Sequence, residues 1–215
     1  MSAVSARTAT VRGSVGFGTA CLILLASLGA AYFVVDAALP YVLSSAYKAQ
    51  QYAGRRDALM FHILFGTIAL FTGPVQLWLG MADRRMQFHR KLGLVYMLSV
   101  AAGSVAAFVL VFSPGGNWVF RAGLFGLAVA WLTTTGMAFV AIKRNLVTQH
   151  KEWMIRSYVV TFAFVFFRFG TDVLNAARPG AGLAHAQTMA WACWAFPLLL
   201  TELTMQGRKV LAFRR

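Results

Sequence analysis

His150-Lys-Glu-Trp-Met-Ile-Arg-Ser-Tyr-Val-Val-Thr-Phe-Ala-Phe-Val-Phe-Phe-Arg168 starts charged and turns apolar. That is the pattern of a helix running into a membrane. At about 100° per residue, His150, Ser157, Thr161, Arg168 and, one turn further, Asp172 fall on one face. The other faces carry Val, Phe, Ala, Ile and Met. Ionisable groups inside a bilayer avoid acyl chains, so this polar stripe is expected to face other helices or a cavity.

The rest of the chain agrees with that setting. Its 215 residues are 59% hydrophobic and 12% charged, and the mean hydropathy is +0.65. Soluble domains carry about 25% charge. The composition therefore describes an integral membrane protein, with length for a single domain. A formal net charge of +14 invites a nucleic-acid reading. However, the Lys and Arg residues sit mainly in short loops between apolar segments, where topology places them. No basic stripe marks a soluble element, so no nucleic-acid partner is expected. Cys21 and Cys193 both lie in apolar segments, and neither a disulfide nor a zinc-type spacing is expected.

The segmentation is an all-α bundle of six transmembrane helices. Residues 1–13 form a cytoplasmic N-terminal segment, 14–205 the membrane domain, and 206–215 a basic cytoplasmic tail. The expected helices are 14–35, 58–80, 92–112, 118–142, 152–174 and 185–205. The first is about 20 residues long, too long for a signal-peptide core and right for a span. A connection over 36–57 contains Asp36, Pro40 and three tyrosines, Tyr41, Tyr47 and Tyr52, which suit a membrane interface. In helix two, His62, Gly66, Ala69, Gly73, Gln76 and Gly80 share a face that permits close helix approach. Gly73-Pro74 should kink that helix and free backbone carbonyls. Ser113-Pro-Gly-Gly-Asn117 reads as a tight turn.

Arg7/Arg12, Arg84/Arg85/Arg90/Lys91, Lys143/Arg144/Lys151/Arg156 and the tail crowd one set of flanks. Lys48/Arg55/Arg56, Arg121 and Arg178 mark the other. With six spans, both termini are expected in the cytoplasm of a bacterial cell whose cytoplasmic membrane holds the chain.

This topology sorts the histidines. His62 and His185 fall toward the outer side, together with Arg168 and Asp172. His89 and His150 fall toward the inner side, together with Gln76, Arg90, Arg156 and Glu202. A b-type haem between helices needs imidazoles from separate helices and Arg for its propionates, so these six residues (His62, His89, His150, His185, Arg168, Asp172) are the candidate cofactor contacts. A quinone pocket is the milder form of the same redox reading. Arg168 and Asp172, four residues apart, are expected to pair, and Glu202 to meet Arg156 or Arg90. Arg156 itself lies off the stripe and reads as a topology anchor. The Thr133-Thr134-Thr135 run suits hydrogen bonds within or between helices. His89-Arg-Lys-Leu-Gly-Leu-Val-Tyr96 echoes His150 to Tyr158. Two readings of another class stand beside redox. One is a non-catalytic subunit or assembly partner of a larger membrane complex, where the stripe serves packing. The other is a small transporter gated by Arg168 and Asp172, although no inverted repeat is evident.

His62 with Gly73-Pro74-Val-Gln76, then His89-Arg90-x-x-Gly93-x-x-Tyr96, then His150-Lys-Glu-Trp153-Met154-Ile-Arg156-Ser157-Tyr158-Val-Val-Thr161-Phe162-Ala163, Arg168, Trp191-x-x-Trp194 and Glu202 form a pattern. It resembles the bacterial multi-helix membrane proteins called domain of unknown function 2306, over roughly residues 58–205. That family usually has Asn after the helix-six proline, where this chain has Pro197-Leu198. The resemblance implies a membrane fold and carries no activity with it.

Overall fold

The computed structural model describes residues 16–43, 54–82, 85–113 and 117–212. Among these the chain is helical, with no strand. α1 covers Phe17–Phe33, α2 Leu39–Leu43, α3 Arg56–Ala82, α4 Met86–Phe112, α5 Trp118–Lys143, α6 Val147–Thr161, α7 Ala163–Ala177 and α8 Gly182–Ala212. Residues 1–13, Tyr47 and Tyr52, Arg84, the Pro114-Gly115-Gly116 turn and Arg214-Arg215 lie outside the described residues.

Five stretches are long and apolar enough to cross a membrane: Phe17–Ala38, Arg56–Ala82, Met86–Phe112, Trp118–Lys143 and Val147–Ala177. A helix of 27 residues, the length of α3 and of α4, spans about 40 Å at 1.5 Å per residue, against about 30 Å of hydrocarbon. α8 is the longest helix at 31 residues, but His185, Gln187, two tryptophans and Pro197 dilute its apolar character. It has no Asp, Glu, Lys or Arg between Leu183 and Thr201.

Several expected boundaries move: helix three begins at Met86 rather than at 92, which puts His89 inside it, and helix six runs to Ala212, into the expected tail. The first helix does not stop at residue 35. It continues through a π-helical turn, Val34–Ala38, into α2, and Leu39 N–H bonds the Val34 carbonyl. Pro40 lies just beyond and has no N–H for the Asp36 carbonyl, so the ladder widens rather than breaking. Asp36 is therefore helical, not part of a loop. The fifth expected helix is divided. Phe162, at φ −79° and ψ −3°, separates α6 from α7. Its N–H still bonds the Tyr158 carbonyl, while Val165 N–H turns back to the Phe162 carbonyl at 3.1 Å. The result is one tightened turn in a continuous span.

Short turns have local causes. α5 opens on Asn117, whose Oδ1 accepts from Val119 N–H at 2.8 Å, as N-cap residues do. α5 closes with Asn145 in the left-handed region at φ 58°. Leu146 N–H bonds Ala141 O and Asn145 N–H bonds Ile142 O, the paired pattern that satisfies terminal carbonyls and reverses the chain. His150 then falls inside α6, not in the preceding loop.

α3 packs along α4, α5 along α6, and α7 along α8, while α5 also touches α4 and α8. α1 leans chiefly on α3 and α7. At Gly123 a Cβ would lie 2.9 Å from the Ala190 backbone, so only glycine lets α5 and α8 approach this closely. Gly73 leaves room for the Tyr158 ring, which would collide with any side chain there. Pro74 removes the N–H that the Leu70 carbonyl would receive, and Tyr158 hydroxyl donates to that carbonyl instead, at 3.3 Å. The freed carbonyl expected from Gly73-Pro74 thus finds its donor on α6.

Candidate functional site

A polar cluster sits where α4, α5 and α6 converge. Ser157 and Thr161 are one turn apart on α6, and Trp131 and Thr135 are one turn apart on α5. Tyr96 enters from α4 and is wholly buried. Its hydroxyl lies 2.7 Å from Ser157 Oγ and 2.8 Å from Thr161 Oγ1. Trp131 Nε1–H donates to Thr161 Oγ1 at 2.7 Å. Thr135 Oγ1 is 2.6 Å from Ser157 Oγ and 2.9 Å from the Trp131 carbonyl. Thr161 donates to the Ser157 carbonyl at 2.8 Å. That donation uses the Thr161 hydrogen, so Tyr96 must donate to Thr161 and accept from Ser157. Thr135 then donates to Ser157 or to the Trp131 carbonyl. Five hydrogens serve six contacts, so one contact is always shared. The Thr133-Thr134-Thr135 expectation holds in divided form: Thr134 bonds back to Ala130 and Trp131, and Thr135 crosses to α6.

His62 borders this cluster. Its Nδ1 is 2.9 Å from the Gly103 carbonyl. Its ring meets Trp131 and Phe164 edge-on, at 6.3 and 5.9 Å between centroids. A carbonyl can only accept, so Nδ1 carries the hydrogen and Nε2 keeps the lone pair.

A second pair of imidazoles gathers at the other end of the same helices. His150 Nδ1 is 2.9 Å from the Ala138 carbonyl, so Nδ1 carries a hydrogen there too. His89, one turn into α4, packs its ring against Gly80; a Cβ there would sit 3.2 Å from His89 Cε1. The backbone carbonyl of His89 accepts from Gln76 Nε2 at 2.7 Å. The His89 Nδ1 atom is buried and makes no hydrogen bond of good geometry, although the Gln76 backbone carbonyl acts on the ring. Arg90 and Lys151 stand close enough for their charge to act on the His89 ring, and the His150 ring lies within electrostatic reach of it. The two inner histidines, on α4 and α6, thus lie within electrostatic reach of each other, and no hydrogen bond or ring contact joins them among the described residues.

No interaction joins His62 and His185 among the described residues. His185 is buried, and its Nδ1 is 2.8 Å from Asn175 Oδ1 at the α7–α8 turn. Arg168 and Asp172 do pair, at 3.3 Å. Asp36 of the π-helical turn approaches the same Arg168 Nε, also at 3.3 Å. These side chains face the bundle's exterior beside α1: that of Arg168 is 45% exposed. The stripe expected to face inward as a whole is therefore split. Ser157 and Thr161 lie in the core, and Arg168 and Asp172 at its edge.

Arg156 is not a free anchor. Its side chain is 9% exposed, it forms a bidentate pair with Glu202 of α8, and its guanidinium lies over the Trp153 ring at 4.7 Å. Glu152 adds a contact at 3.8 Å and itself binds Lys209 at 2.8 Å. The expected Glu202 partner is thus Arg156. Both cysteines are free.

Trp131 and Asn175 went unremarked as polar partners in the sequence. Trp131 was hidden among many membrane tryptophans, and nothing local ties Asn175 to His185. Tyr96 carried a signal, the echo of His150–Tyr158 in His89–Tyr96.

The apolar spans and the exposure of large hydrophobics along all of them define a multi-pass membrane protein. The family described as Predicted membrane protein (DUF2306) matches residues 59–205, and the chain belongs to that family. No curated protein and no solved structure matches it.

Proposed function

We propose that this chain is a redox protein of the bacterial cytoplasmic membrane, with six spans and both termini cytoplasmic, and that it holds a b-type haem between His89 and His150. The observation that carries this reading is the His89 Nδ1 atom, buried and without a hydrogen bond of good geometry, within electrostatic reach of a second imidazole from another helix. A buried donor or acceptor left unmade costs about 1–3 kcal/mol, so an orphaned ring nitrogen favours a ligand. His150 is oriented for ligation. Its Nδ1–H is held by the Ala138 carbonyl, the arrangement that fixes tautomer and ring plane in metal-binding histidines. Arg90, Lys91 and Lys151 supply cations for anionic propionates. When bound, a haem supplies a one-electron couple. The Lys209–Glu152 and Arg156–Glu202 pairs support α8 as the sixth span, since they tie its C-terminal half to the end where α6 begins.

The test is a visible spectrum of the protein purified in mild detergent from haem-supplied cells, oxidised and then reduced. A Soret band is expected, absent from His89→Ala and from His150→Ala and retained in His185→Ala. A colourless wild-type protein, or bands untouched by both inner substitutions, would leave the chain as a non-catalytic partner of a membrane complex.

A further inference from the structure

A cavity of about 240 Å³ opens on the outside of the bundle between α1 and α7. Its lining includes Leu25, Gly29 and Tyr32 of α1, Phe162 at the α6–α7 break, and Phe166 and Arg168 of α7. Gly29 makes the space: a Cβ there would already come within 3.1 Å of Phe162 Cζ. Phe162 and Phe166 meet edge-to-face at 5.1 Å, forming an aromatic corner. Leu25 and Tyr32 are exposed, so the mouth faces acyl chains.

We propose that this cavity binds the head of an isoprenoid quinone whose tail leaves into the lipid. Size and charge select that occupant. Sites for drug-sized ligands run from about 300 to 1,000 Å³, so the cavity takes a single ring and not a whole amphiphile. Aromatic walls suit a flat ring in offset or edge contact. Among the described residues Arg168 is the one cation in the lining, and its Nε is shared by two carboxylates, Asp36 and Asp172. The cluster therefore carries a formal charge of one negative, and a phospholipid phosphate meets repulsion there. A guanidinium has five N–H donors, so Arg168 can still donate to a neutral carbonyl oxygen. A quinone head supplies that acceptor on a planar ring. This site is separate from the inner imidazole pair and does not depend on it.

The probe is a radiolabelled quinone with one isoprenoid unit, measured by equilibrium dialysis on the full chain in detergent. Saturable binding at one site per chain is expected. Gly29→Leu should weaken it at least tenfold. Leu25→Trp, which alters only a lipid-facing mouth residue, should weaken it several-fold with an unchanged unfolding midpoint. His89→Ala should bind as wild type, so a missing haem and a missing quinone read separately. Excess short-chain phosphatidylglycerol should not compete. Absent saturable binding, equal affinity in both groove variants, or displacement by phosphatidylglycerol would overturn the proposal.

Discussion

Two polar clusters ride on one helical span, Val147–Ala177, and their surroundings are opposite. Ser157 and Thr161 on α6 are enclosed by α4 and α5, within reach of Tyr96, Thr135 and Trp131. Arg168 and Asp172, two and three turns later on α7, meet only a lightly packed α1 and stay 45% exposed. Helical periodicity puts all four on one stripe. The turn at Phe162 and the choice of neighbours decide what each cluster becomes. Hydroxyls can be buried because short hydrogen bonds satisfy them at small desolvation cost. The ion pair stays at the bundle's edge beside α1, where Asp36 and Asp172 both reach Arg168.

Substitutions can push on that contrast. The largest effect is expected from Gly73→Val, which drives a side chain into the Tyr158 ring and unseats α6. Overpacking of this kind costs about 1–3 kcal/mol, with more where backbone must move, and the variant should lose its monodisperse elution peak in detergent. Glu202→Leu comes next. It leaves a nearly buried Arg156 with the 3.8 Å contact to Glu152 as its remaining ion pair, beside the Trp153 ring. Breaking a buried pair costs about 3–5 kcal/mol. Glu202 is partly exposed, so about 2 kcal/mol is expected, read as a lower midpoint in denaturant titration. Tyr96→Phe should cost about 1–2 kcal/mol by removing the hydroxyl shared by Ser157 and Thr161. A midpoint equal to wild type would mean that the cluster is hydrated, not closed. Asp172→Asn should have the smallest effect, about 0.5 kcal/mol, because Asp36 still pairs with Arg168. A large loss there would erase the distinction between core and edge.

The helices and their order were legible because each apolar run exceeds the hydrocarbon thickness and each break carries Pro, Gly, Asn or clustered cations. Pro74 announced the carbonyl that it leaves without an N–H. The Arg168–Asp172 pair followed from spacing alone. Other features depend on tertiary partners that sequence spacing does not encode. Asp36 seemed a loop residue because Pro40 normally ends a helix, and the π-helical turn that absorbs Pro40 has no clear local signature. The stripe on His150–Asp172 gave the face of each residue, but not which neighbour that face would meet. His62 and His185 share an expected depth, yet depth says nothing about azimuth, and each found a different oxygen.

The Leu70 carbonyl, bare because of Pro74, is met by the Tyr158 hydroxyl through the gap at Gly73. These three groups work as a notch and pawl. Sliding α6 along α3 by one turn would withdraw the hydroxyl, strand the oxygen in oil, and jam the phenol against Cβ atoms above or below. The axial alignment of the two halves of the bundle is thus set by a missing hydrogen on one helix and a supplied one on the other.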